Sequence, residues 1–74
     1  MSARPDRDFL RASVAAQRGN DAEMVRHTQA SFKNHGNKAA ALNLAELHYI
    51  GRGVRQSYDE ALEYYYQALQ TTPG

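Results

Sequence analysis

The chain contains no cysteine. Disulfides, thiolate metal sites and cysteine nucleophiles are therefore excluded, and a reducing compartment fits. Opposite charges nearly cancel, since nine Lys and Arg against eight Asp and Glu leave a net charge of +1. That surplus is too small to predict nucleic acid or an anionic membrane as a partner. No apolar run approaches the length needed to cross a bilayer. The opening stretch, Met1 to Arg7, carries a proline and charges but no apolar segment, so it does not read as a signal peptide. The expected location is soluble and cytoplasmic. Histidine is sparse: His27, His35 and His48 include no pair at the i, i+4 spacing that sets two imidazoles on one helical face. No metal and no cofactor is expected. No segment has the strict apolar–polar alternation of a strand.

What is present is helical. A length of 74 residues allows a single small domain, 1–74, whose core supplies only a few kcal/mol of net stability. The first helix is predicted from Asp6 to Arg18, with Pro5 and Asp6 at its entrance and Gly19 as its stop. Phe9, Leu10, Ser13, Val14 and Gln17 share one side of it. The second runs from Asp21 to Asn34, with Asn20 and Glu23 at capping-box spacing and Gly36 beyond its end. Its packing row is Ala22, Val25, Gln29 and Phe32, with Thr28 beside it. The third runs from Lys38 to Ile50 behind Asn37. Its stripe is Ala40, Leu44, Leu47 and His48, flanked by Ala41 and Ala45, with Leu42 and Tyr49 opposite. The fourth runs from Tyr58 to Thr71 behind the capping box of Ser57 and Glu60, and Pro73-Gly74 prevents its continuation. Tyr58, Ala61, Leu62, Tyr65 and Leu69 make its main face, with Tyr64 and Ala68 on a flank. The fold class is all-α, with four antiparallel helices in two helix–turn–helix pairs.

The pattern Ala40-x-x-x-Leu44-Ala45-x-Leu47-His48-x-x-Gly51-x-Gly53-Val54-x-x-x-Tyr58-x-x-Ala61-x-x-Tyr64-Tyr65-x-x-Ala68 resembles the Sel-one-like repeat. That repeat is a branch of the tetratricopeptide superfamily, whose unit is a helix pair of about 34 residues. Gly36 falls at the glycine that precedes the family's first helix. Ala45 stands where the family commonly has glycine, His48 where it has tyrosine, Ser57 where it has aspartate and Tyr64 where it has tryptophan. The resemblance covers 37–71, while 6–36 reads as a degenerate pair of the same general kind. It implies a short right-handed solenoid of stacked pairs, an adaptor role and no shared catalytic residue. It also implies that Tyr64 and Tyr65 are core positions. The residues of the Gly51–Val54 loop themselves read as a helix stop at Gly51, backbone freedom at Gly53 and a core anchor at Val54.

In such stacks the first helix of each pair lines the concave surface, so Asn43, Glu46 and Tyr49 become candidate groove contacts. Tyr66 matches a position that is usually polar and is a candidate for an interface, because a rigid amphipathic ring loses little entropy on contact. Leu62, Tyr65 and Leu69 would be covered by a following pair in a longer array. Self-association or a partner protein is expected to cover them here. The leading function is protein–protein interaction or scaffolding, with a protein partner or a homo-oligomer and no small-molecule substrate. The alternative is a small nucleic-acid-binding helical regulator, against which stands the lack of an Arg/Lys-rich recognition helix. Gly51-Arg52-Gly53 lacks the strand and the Lys-Ser or Lys-Thr pair of a phosphate loop. No nucleophile–base spacing appears, so an enzyme is not expected.

Overall fold

Four short polar side chains, Asp6, Asn20, Asn37 and Ser57, each accept a hydrogen bond from the backbone N–H three residues on. Each satisfies a donor that a helix start leaves without an internal partner. They open the four helices of the computed structural model, which describes residues 6–70: α1 (Arg7–Gln17), α2 (Asp21–His35), α3 (Lys38–Ile50) and α4 (Tyr58–Gln70). No strand occurs among the described residues. The expectations placed on Pro5, Thr71, Pro73 and Gly74 lie outside them.

The turn between α1 and α2 is only three residues. Gly19 takes φ +74°, its N–H donates to the Ala16 carbonyl at 3.1 Å, and the Asn20 N–H reaches back to Ala15 at 2.9 Å. This pattern closes α1, and the Asn20 side chain opens α2 at once. α1 packs on α2, α2 on α3 and α3 on α4. The start of α1 lies against the end of α2, because Ser31 Oγ donates to Asp6 Oδ2 at 2.6 Å.

The core is built from small side chains. Ala12 and Ala15 of α1, Thr28 and Ser31 of α2, Ala40, Ala41 and Ala45 of α3, and Ala61 and Ala68 of α4 are all buried. Small residues let helix axes approach closely. Met24, Val25, Leu44 and Leu47 supply the larger buried side chains, and half-buried Val54 packs against Ala15, Met24, Val25 and Leu47.

Helix faces depart from the expected rows in three places. On α1, Leu10 and Val14 point outward, while Ala12 and Ala15 face α2. On α2, Ala22 and Gln29 are exposed, and Met24 and Ser31 take the buried side. On α4, of the expected main face only Ala61 is buried; the flank of Tyr64 and Ala68 packs instead. On α1 and α4 the buried side is lined by alanine, which lets the helices approach closely; on α2 it takes Met24, Val25, Thr28 and Ser31 instead. The α3 stripe is buried as expected, with His48 half-buried and with Leu42 and Tyr49 exposed.

Candidate interaction surfaces

The loop from Gly51 to Val54 docks the second helix pair on the first. A Cβ placed on Gly53 would lie 2.7 Å from Val25 Cγ2 and 2.9 Å from the Asp21 carbonyl oxygen. Arg52 Nε donates to Asp21 Oδ1 at 3.0 Å, at the first turn of α2. Gly53 thus serves the close approach of the loop to the α2 backbone. Behind it, the Tyr64 ring stacks on His48 at 5.5 Å and meets Phe32 edge-on at 5.9 Å, joining α2, α3 and α4. Burial beside the Glu60 carboxylate raises the Tyr64 hydroxyl above its ordinary pKa. His48 Nδ1 is buried with no hydrogen-bond partner.

With that arrangement set, three surfaces remain open. One covers the outside of α3 and α4 and is apolar. Tyr58, Leu62, Tyr65, Tyr66 and Leu69 recur at helical spacing on α4, and Leu69 is 73% exposed, Tyr66 59% and Leu62 55%. The Tyr49 ring lies 5.2 Å from that of Tyr58, which joins the Leu42 and Tyr49 row of α3 to the α4 row. Tyr65, expected in the core, belongs to this open face at 40% exposure. Contiguous exposed side chains of this size mark contact sites more often than scattered ones do.

The second is a cleft of about 180 Å³ between α1 and α3. Phe9, Ser13 and Ala16 stand on one wall, Asn43 and Glu46 on the other, and Arg52 at the loop. The structure places Asn43 and Glu46 together there. Tyr49, grouped with them from the sequence, is instead turned to the outer face against Tyr58.

The third is a groove of about 310 Å³ on the outer side of α1 and α2. Leu10, Val14, Arg11 and Arg18 border it from the α1 side, Glu23 and His27 from α2. Glu23 is paired with Arg26 and His27, and the hydrogen bond from Arg26 holds its carboxyl below the ordinary range. Leu10 and Val14 share the apolar row of α1 in the sequence, and the structure turns that row outward to border this groove. Arg11 and Arg18 are exposed along it, and Arg7 is exposed on α1 one turn before Arg11.

A polar cluster sits at the edge of the first pair. Burial works to raise the Asp6 carboxyl, but hydrogen bonds from Ser31, Asn37 and the Phe9 N–H, with His35 nearby, outweigh it and hold the pKa below its ordinary value. His35 Nε2 lies 3.6 Å from Asp6 Oδ1 and 3.5 Å from Asp8 Oδ2. Among the described residues, Asp6, Asp8 and His35 could hold a cation, since one ligand atom from each falls within 4.8 Å of the others. Yet Asp6 already accepts from Phe9, Ser31 and Asn37, which gives it a structural task. Ser31, Asp6 and His35 do not form a nucleophile–base pair either. The Ser31 hydroxyl is fully buried and donates to the carboxylate rather than to the imidazole.

No helix among the described residues is long and apolar enough to cross a membrane. No family model, no curated protein and no solved structure matches the chain.

Proposed function

We propose that this chain is a protein–protein interaction module: a short stack of two helix pairs, the second of Sel-one-like type and the first a degenerate pair, that binds a polypeptide through its outer surface. One observation carries the reading. The α4 helix buries alanines and turns Tyr58, Leu62, Tyr65, Tyr66 and Leu69 outward. A helix folded for its own stability alone gains nothing from five large apolar side chains in water. Against another polypeptide the same side chains supply the apolar core of an interface, with Tyr as anchor. The docking of Gly53 on α2 and the burial of Ala45 and Ala61 support the repeat reading, because those are positions where the repeat pattern calls for small residues or glycine. A right-handed solenoid is the arrangement proposed for the two pairs. The role is that of an adaptor, without catalysis.

Site-specific photocrosslinking tests this. A photoreactive phenylalanine analogue in place of Tyr66 should yield a discrete polypeptide adduct. The same analogue in place of the exposed Gln29 of α2 should yield none. Equal, diffuse labelling at both positions would overturn the reading. Retardation of nucleic acid in a low-salt gel-shift assay, abolished by Arg11→Glu and Arg18→Glu, would favour a nucleic-acid regulator instead.

A further inference from the structure

The two outer faces of the molecule carry opposite charges of their own. α4 contains Asp59, Glu60 and Glu63 and no Lys or Arg. None of these three carboxylates has an ion-pair partner among the described residues. At 100° per residue, Asp59 and Glu63 fall beside Tyr66, along one edge of the Tyr58–Leu62–Tyr65–Leu69 row. On α1 the same projection puts Leu10 and Val14 at the centre of the outward side, with Arg7, Arg11 and Arg18 along one edge. Arg7 and Arg18 have no ion-pair partner among the described residues, and Arg11 is held only by Asp8 at 3.8 Å. One end of the molecule is thus apolar with an acidic edge, and the other is apolar with a basic edge and a groove.

We infer that a second copy of this chain docks head to tail, its α4 face seated on the α1–α2 groove of the first. This inference rests on the interaction reading above and names its partner. Three observations favour that occupant. The free charges at the edges are complementary between the two faces, since Glu23, the carboxylate that also borders the groove, is already paired with Arg26 and His27, so like faces repel and unlike faces attract. The apolar rows are both exposed, Leu10 at 62% and Val14 at 47% against the α4 row. Moreover, within one chain a helix of the second pair already packs on a helix of the first, so pair-on-pair docking is a contact this sequence supports. The contact joins two different patches. It is heterologous, and repeated addition gives a ring if the rotation closes and an open filament if it does not.

Complementary face variants decide the matter. Leu62→Glu with Leu69→Glu removes the α4 face and leaves the α1 face; Leu10→Glu with Val14→Glu does the reverse. All four positions are exposed, so both proteins should keep wild-type helicity and melting temperature. In sedimentation velocity at low salt, the wild type should grow in mass with concentration beyond a dimer. Each variant alone should remain monomeric, its association constant lowered on the order of 100-fold. An equimolar mixture should form a 1:1 heterodimer and nothing larger. Arg7→Glu with Arg18→Glu is the gentler variant; it should weaken association at low salt and lose that effect at high salt. A wild type that stays monomeric throughout overturns the inference. So does a variant with the α1 face removed that still dimerises alone, because that outcome means symmetric α4-to-α4 pairing. If the wild type is monomeric but the Tyr66 adduct is a different polypeptide, only the self-docking fails. If neither occurs, the interaction reading fails as well.

Discussion

At the scale of single residues, the positions that matter most are those where nothing larger fits. Gly36 and Gly53 both have positive φ, 61° and 74°, but they differ in surroundings. A Cβ on Gly36 meets nothing within 4 Å, whereas one on Gly53 collides with Val25 and the Asp21 carbonyl. Gly36→Ala therefore pays only for the left-handed backbone, about 1 kcal/mol. Gly53→Ala pays the same and must also push the loop off α2, for a total of about 3 kcal/mol. Urea denaturation of the two variants should separate the terms. Equal losses would mean that the loop does not rest on α2. The spacing Gly51-x-Gly53-Val54 was legible as a turn, but the collision partner was not, because Asp21 and Val25 lie about thirty residues away in sequence.

At the scale of elements, Asp6 is the joint between three helices. It caps α1 through Phe9, receives the Ser31 hydroxyl from α2 and receives the Asn37 amide at 2.8 Å from the residue that caps α3. Asp6→Ala removes the cap and strands a fully buried hydroxyl, a loss of about 2–3 kcal/mol. The charge adds a pH signature. The folded-state pKa is lowered from its ordinary value of 3.8, so the stabilisation is complete above that value and is lost as pH falls through the lower folded-state value. Asp6→Asn keeps an acceptor for the Phe9 N–H but cannot titrate. The stability difference between wild type and Asp6→Asn, followed by thermal melts from neutral pH into acid, should be constant down to the ordinary carboxyl range. It should then shrink as pH falls further. A difference that does not change with pH would remove Asp6 from this role. The caps themselves were readable from the sequence, since Asn20, Asn37 and Ser57 act on residues three positions away. The second use of Asp6 was not readable, because its partners come from other helices.

At the scale of the whole molecule, the inside is fine-grained and the outside is coarse. Ala41 and Ala45 are fully buried, whereas Leu62 and Leu69 stand in water. Ala41→Leu forces α3 away from its neighbours and should lower stability by about 1–3 kcal/mol. Leu62→Glu should leave stability within about 0.5 kcal/mol, because no packed contact is lost. Differential scanning calorimetry on dilute samples checks both. A strongly destabilised Leu62→Glu protein at a concentration where the wild type is monomeric would place that side chain in the monomer's own core. The arrangement also explains how so small a chain keeps large apolar side chains on its surface. Close helix approach is supplied by alanine, threonine and serine, which leaves leucine and tyrosine to face outward.

The sequence by itself determined the four helices, the caps that open them and the turns between them, because caps, glycines and helical periodicity act within a few residues of chain. It also marked Leu62, Tyr65, Tyr66 and Leu69 as side chains in search of cover. Only the tertiary structure decided which face of α1, α2 and α4 turned inward, since that choice depends on how closely two helices approach. Helical spacing put Leu10 and Val14 on the apolar row of α1, and the repeat resemblance put Tyr65 in the core. The narrow interhelical space took Ala12, Ala15, Ala61 and Ala68 instead, and so left apolar faces of opposite edge charge at the two ends of the molecule.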